Sequence, residues 1–150
     1  MENKLKEAIV QDDVDEFNRL LSTMDDVNMP LGADGYETAL HFAASKNCVR
    51  IVKILLNRAD LKLDVTDKYG NTALHSACYY GHFHVISRIL SDGRCSAETL
   101  NMKSLGELNP LMMAVKRDKL DCVKVLVKND LVDLGVKYMN GKTLIQVNQL

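Results

Sequence analysis

The chain has 150 residues, a hydrophobic content of 47% and a formal net charge of −1. This size suits one folded domain, and the balanced charge creates no global field that would attract nucleic acid or an anionic membrane. No apolar run is long enough to cross a bilayer, and the first residues lack the pattern of a signal peptide. We expect an intracellular monomer, cytoplasmic or nuclear, that contacts neither nucleic acid nor membrane.

The first stretch of the chain, residues 1–33, has a helical apolar pattern that returns 35 positions later. Leu5 and Phe17, for example, precede Leu40 and Val52 by that interval. The stretch also carries more charge than the later ones, as expected of an end unit with one face in water. We expect it to form an N-terminal capping unit of two helices.

A repeated four-residue word marks the next two units, which span residues 34–66 and 67–100. Thr-Ala-Leu-His occupies positions 38–41 and returns at positions 72–75, 34 residues later. A fixed period in the low thirties indicates repeats that cannot bury their apolar faces alone and must stack on their neighbours. In both copies the threonine is placed to cap a short helix, and a second helix with one apolar face follows.

The link between the third and fourth units is three residues longer than the link before it. We expect a longer loop between these two units, which we call a finger. It is either part of a binding face or a tolerated surface insertion. Cys95 lies in this polar link and is the one cysteine that we consider as an exposed thiol, with an unreactive loop cysteine as the alternative. Cys78 and Cys122 occupy apolar repeat positions, so we expect both in the core.

The fourth unit, residues 101–137, keeps the chemistry of the helix start with different residues. Asn109 and Pro110 replace the threonine and alanine, and both suit the start of a helix. Met112 replaces the histidine. A partial fifth unit, residues 138–150, predicts either a C-terminal capping helix or the first part of further repeats in a longer protein.

The third unit resembles the ankyrin repeat. Its sequence Asp-Lys-Tyr-Gly-Asn-Thr-Ala-Leu-His-Ser-Ala at positions 67–77, followed by Gly-His at 81–82, is similar to the motif of that family. The likeness covers nearly the whole chain, strictly in units two and three and loosely elsewhere. It implies one all-α domain over residues 1–150: a solenoid of about four and a half helix-turn-helix units, joined by β-hairpin-like fingers.

The resemblance also implies a module that binds another protein through its finger tips and first helices. Carried over position by position, the contact-prone residues are Glu37, Ser45, Lys46, Lys68, Tyr69, Asn71, Tyr79, Tyr80, Lys116, Arg117 and Lys142. We call this set the concave strip. Basic residues that flank an aromatic pair favour an acidic or phosphorylated protein segment as ligand. The alternatives are ordinary solvated side chains on this face, and a structural spacer within a larger ankyrin-repeat scaffold.

No pattern in the sequence indicates catalysis, a metal or a cofactor. The sequence has no glycine-rich phosphate loop, no Gly-x-Ser-x-Gly elbow and no cysteine pair with zinc spacing. His41 and His75 belong to the repeated word, and the resemblance implies that they form local hydrogen bonds and connect neighbouring fingers. His82 and His84 are two residues apart and do not share a helix face. We therefore expect neither an enzyme nor a metal site.

Overall fold

A computed structural model describes residues 1–34 and 36–135 of the chain. Within these residues the regular structure is helical, and no strand occurs. The helices of this part are α1 (Glu2–Val10), α2 (Val14–Leu21), α3 (Ala39–Ser45), α4 (Val49–Leu56), α5 (Ala73–Tyr80), α6 (Phe83–Leu90), α7 (Ala97–Leu100), α8 (Pro110–Lys116) and α9 (Leu120–Val127). The all-α expectation is confirmed.

Eight of these helices form four successive pairs, α1 with α2, α3 with α4, α5 with α6 and α8 with α9, each joined by two or three residues. The first helices pack on one another in the order α1, α3, α5, α8, and the second helices in the order α2, α4, α6, α9. The result is a two-layered stack in which each pair covers the apolar face of its neighbour. This is the solenoid that the repeat predicts.

Each inner first helix begins at a residue that caps it. The Thr38 and Thr72 hydroxyls and the Asn109 side-chain oxygen each accept a hydrogen bond from the backbone N–H three residues later. This satisfies one of the N–H groups that every helix start leaves without a partner. The substitution of Asn-Pro for Thr-Ala in the fourth unit therefore keeps the cap.

A left-handed residue separates the two helices of every described pair. It is Asp12, Asn47, Gly81 and Asp118 in turn, with φ between 51° and 80°. Glycine, asparagine and aspartate are the residues that adopt this conformation at least cost. Helix α5 ends just before Gly81, and the same turn recurs without glycine in the other pairs.

The core lies between the two layers and between successive pairs. First helices contribute small side chains, among them Ala43, Ala77 and Cys78, all fully buried, which allow neighbouring helices to approach closely. Second helices contribute branched side chains, whose fully buried members include Ile51, Leu55, Val85, Ile86 and Leu126. Cys122 is also fully buried. The core positions predicted for Cys78 and Cys122 are confirmed.

The expectation that Cys95 is exposed is wrong. Its side chain is 8% exposed, and burial raises the pKa of its thiol to about 11. The neighbouring Arg94 explains the burial, since its guanidinium donates to the carbonyl oxygens of Leu56 at 2.6 Å, Arg58 at 2.6 Å and Leu61 at 3.2 Å. Arg94 thus ties this link to the end of α4 and turns the adjacent cysteine inward.

The three extra residues of this link do not lengthen a finger. The hydrogen bond that closes each finger spans residues 67–71 in the third unit and 104–108 in the fourth, at 2.9 Å in both. In the second unit it spans residues 31–37, two residues more, at 2.6 Å. The longer link instead contains the short helix α7, so the prediction of a longer fourth finger is wrong. The predicted fifth unit, residues 138–150, lies outside the described residues.

Candidate protein-interaction surface

Two buried imidazoles fix the third and fourth fingers, each relative to the helix of the unit before it. The Nε2 atom of His41 lies 2.8 Å from the carbonyl oxygen of Asn71, and that of His75 lies 2.8 Å from the carbonyl oxygen of Leu108. A carbonyl only accepts, so each Nε2 carries the proton and each Nδ1 faces the threonine that caps the same helix. Burial lowers the pKa of both histidines. Their predicted structural role is confirmed.

The third finger presents a tyrosine at its tip. The Oδ1 atom of Asp67 accepts the N–H of Tyr69 at 2.8 Å and the N–H of Asn71 at 2.9 Å. Gly70 completes the turn with φ 74°, and the Tyr69 carbonyl oxygen accepts the N–H of Leu105 from the next finger. The backbone of Tyr69 is therefore held on both sides while its side chain stays 60% exposed.

Two further tyrosines stand at the end of α5. Tyr79 is 38% exposed and Tyr80 is 53% exposed, and their ring centroids lie 4.8 Å apart in an edge-on arrangement. The guanidinium of Arg117, just beyond α8, lies 4.1 Å from the Tyr79 ring centroid. This cation–π contact connects the ends of two neighbouring first helices on the same surface.

A groove with a volume of about 400 Å³ joins the third finger to the helix ends. Its lining residues are Glu37, Ser45, Asp67, Tyr69, Asn71, Ser76, Tyr79, Tyr80 and Met113. We call it the tyrosine groove. Six of its residues belong to the concave strip expected from the sequence, so the fold does bring finger and helix-end positions together.

Sequence reasoning missed three lining residues, Asp67, Ser76 and Met113. The sequence indicates a turn at Asp67. It does not show that Asp67 also lines a groove, because the groove forms only when the neighbouring helix packs against the finger. A second groove over the finger tips shares Glu37, Asp67 and Tyr69 with the first and adds Tyr36, which is 51% exposed. Tyr36 was not among the predicted residues, because the second finger departs from the spacing of the repeat.

The basic members of the concave strip that the structure describes lie outside the lining of the tyrosine groove; they are Lys46, Lys68, Lys116 and Arg117. The Nζ atom of Lys46 lies 5.5 Å from the Phe42 ring centroid, and that of Lys68 lies 5.2 Å from the Tyr69 ring centroid. Lys116 is exposed at the end of α8. The strip therefore has a basic rim around a groove that contains carboxylates. Lys142, the remaining predicted residue, lies outside the described residues.

The described part of the chain has no cluster of side chains that could bind a metal ion. Across residues 1–34 and 36–135, no group of three or more histidine, cysteine, aspartate or glutamate side chains could hold one. Burial raises the pKa of the Cys78 and Cys122 thiols, which leaves both thiols protonated near neutral pH. None of the helices in these residues is long and apolar enough to cross a membrane.

Comparison with known families identifies the repeat. A profile of three ankyrin repeats matches residues 5–103, and a profile of a single ankyrin repeat matches residues 107–137. The chain belongs to the ankyrin repeat family. Ankyrin repeats form a non-catalytic interaction fold, so this chain is in general terms a protein–protein interaction module.

Relatives from several animals resemble the chain over different spans. The nuclear factor NF-kappa-B p105 subunit of Gallus gallus is 25% identical over 150 residues, which cover 97% of this chain and 15% of the relative. The ankyrin repeat and KH domain-containing protein mask-1 of Caenorhabditis elegans is 29% identical, over 91% of this chain and 5% of the relative. Inversin of Danio rerio is 40% identical, over 37% of this chain and 6% of the relative. The matched region thus spans 15% or less of each of these relatives.

Proposed function

We propose that this ankyrin-repeat chain binds a partner protein through the concave strip. The observation that carries the proposal is the grouping of three exposed tyrosines, Tyr69, Tyr79 and Tyr80, around one groove. Tyrosine is among the residues that most often dominate interface energetics, at about 2 kcal/mol or more for each well-packed hot spot.

The way these side chains are held supports the proposal. The Tyr69 backbone is fixed by Asp67 and by the next finger, and Arg117 lies against one ring of the tyrosine pair. Side chains that are already ordered lose less conformational entropy when a partner binds. These contacts support a pre-organised part of the strip around Tyr69 and Tyr79.

The basic rim supports a partner segment with acidic or phosphorylated side chains. Lys46, Lys116 and Arg117 are exposed, so their charges are accessible to such groups. A guanidinium can form paired hydrogen bonds with a carboxylate or a phosphate, which a lysine ammonium does not match. We assign the acid-binding role to this rim, with Arg117 as its main contact.

Affinity capture from cell lysate tests the proposal. The bait is the wild-type chain beside a strip variant with Tyr79→Ala, Tyr80→Ala and Arg117→Glu. A matched control carries Val127→Ala, Leu131→Ala and Arg88→Glu, the same kinds of change at exposed positions outside the strip. All three proteins are first compared by thermal unfolding.

We expect a partner that is captured by the wild type and the control and lost by the strip variant. Capture of the same partner by the strip variant would contradict the proposal. The great length of the curated relatives favours a second candidate function, a structural spacer within a larger scaffold. The spacer predicts that the wild-type chain captures no partner.

A further inference from the structure

The tyrosine groove is lined by negative charge without positive charge. Glu37 and Asp67 lie in its lining, and no lysine, arginine or histidine does. Within residues 1–34 and 36–135, neither carboxylate takes part in an ion pair. Both are partly buried beside the groove, where a charge is less well solvated than on an open surface.

These two carboxylates leave hydrogen-bond acceptors unused. The Oδ1 atom of Asp67 serves its own finger, but its Oδ2 atom accepts no hydrogen bond from the described residues. The Glu37 carboxylate accepts none from them either. The groove lining offers only neutral side-chain donors, namely the tyrosine and serine hydroxyls and the Asn71 amide. A charged donor would satisfy both oxygens and compensate both charges.

The aromatic rings around the groove already attract cations. Arg117 lies over Tyr79 at 4.1 Å and Lys68 over Tyr69 at 5.2 Å, both from the rim. The Tyr80 ring, which is 53% exposed, has no cation over it among the described residues. The Tyr79 and His82 rings lie beside it, and about half of Tyr80 stays exposed. A cation from outside the chain could contact both this exposed part and the two carboxylates, which form no ion pair with the described residues.

We infer that the tyrosine groove receives a lysine or arginine side chain of the partner protein, with its cationic group between Glu37, Asp67 and the Tyr80 ring. This inference rests on the proposed function. The partner segment then carries a basic residue in the groove and acidic residues against the surrounding rim, so neighbouring charges alternate in sign along it.

Size and charge both favour this occupant. A volume of about 400 Å³ leaves room for a long side chain. An acidic side chain would be repelled by Glu37 and Asp67, and an apolar one would displace water from both carboxylates without replacing its hydrogen bonds. Lys6 and Lys68, which line the adjoining finger-tip groove, form no ion pair with either carboxylate. Lysine and arginine combine a long apolar stem for the tyrosine rings with a charge for the carboxylates.

Peptide selection tests the inference with a defined probe. Random peptides displayed on phage are selected on the wild-type chain, and the tightest peptide is synthesised twice. One copy keeps its basic residue, and the other carries norleucine in place of lysine or citrulline in place of arginine. The Kd of each copy is measured on the wild type, on Glu37→Gln and on the matched control Glu98→Gln, whose exposed carboxylate lies outside the groove.

We expect an enriched basic position whose neutralisation weakens binding by about tenfold on the wild type and on Glu98→Gln. On Glu37→Gln the same replacement should raise the Kd of the peptide by about threefold at most. A pool without an enriched basic residue, or a wild-type affinity that is unchanged by neutralisation, overturns the inference.

A third variant separates this inference from the proposed function. If Tyr80→Ala weakens the peptide while its charge and Glu37 have no effect, the concave strip binds as proposed and only the basic occupant is wrong. If Tyr80→Ala binds every selected peptide as the wild type does, both the inference and the proposed function are contradicted.

Discussion

The two ends of helix α5 have different roles: its start is buried and its end is exposed. At its start, Thr72, Leu74 and His75 are at most 1% exposed, and they cap the helix, fill the core and bond to the next finger. At its end, Tyr79 and Tyr80 are 38% and 53% exposed. The change takes place within eight residues of one helix. Packing against neighbours thus determines the start and leaves the end free for recognition.

The other inner units repeat this division. The first helix of the second unit begins with the same four-residue word, yet it ends in Ser45 and is followed by Lys46. The first helix of the fourth unit keeps a cap and a buried leucine, yet it ends in Lys116 and is followed by Arg117. The helix starts are nearly alike and the helix ends are not, as expected if stability constrains the former and binding the latter.

The largest predicted effect separates the two ends of α5 directly. Leu74→Ala removes a side chain that is 1% exposed and should lower the free energy of unfolding by about 3 kcal/mol. Tyr80→Ala removes a larger side chain that is half exposed and should change it by about 0.5 kcal/mol. Urea denaturation followed by circular dichroism measures both changes. Equal decreases in the free energy of unfolding would contradict the claim that the start of α5 stabilises the fold and its end does not.

A second prediction uses pH to weaken the helix starts selectively. Burial lowers the pKa of His41 and His75 in the folded chain, whereas histidine in the unfolded chain titrates near 6.5. The unfolded chain therefore binds more protons below that pH, and the free energy of unfolding should decrease as the pH falls from about 6.5 towards 5. Protonation of Nδ1 would also replace an acceptor by a donor opposite the Thr38 or Thr72 backbone N–H.

A double variant with His41→Gln and His75→Gln is the control for the pH effect. It should be less stable than the wild type at pH 7.5 because two buried bonds between units are lost. Its stability should then vary less between pH 7 and pH 5. A wild-type slope that persists in the double variant would show that other groups cause it.

A smaller effect is expected at the turn that follows the tyrosine pair. Gly81→Ala places a side chain at φ 80° and should lower the free energy of unfolding by about 1 kcal/mol. The new Cβ atom would lie 2.8 Å from Cδ of Lys119, a flexible side chain that can move away. Gly93→Ala is the matched control, because no atom lies within 4 Å of its Cβ position and its φ is not positive. Thermal unfolding should show a lower midpoint for Gly81→Ala alone.

The division of tasks also explains what the sequence could and could not predict. The helix starts are local features, since a cap, a leucine and a histidine stand within four residues, and all were recognised. Cys95 was misjudged because its burial depends on the reach of Arg94 to carbonyl oxygens more than thirty residues away. Polar neighbours in the sequence concealed that contact.

The tyrosine groove was predicted in part for the same reason. Its positions follow from the repeat register, which placed Tyr69, Tyr79 and Tyr80 on one surface. The charge of the groove does not follow from the register, because Glu37 and Asp67 belong to different fingers and line one groove only in the folded stack. The basic rim and Glu37 were visible as residue types, and only the structure placed Asp67 in the same groove.

Photo-crosslinking tests the central claim, that the exposed helix ends bind the partner, most directly. A photoreactive amino acid is placed at position 80 in one protein and at position 88, exposed on the second-helix layer, in another. Both are irradiated in cell lysate, and the crosslinked products are identified. Our account predicts a partner crosslinked from position 80 and absent from position 88. A partner crosslinked from position 88 alone would contradict it.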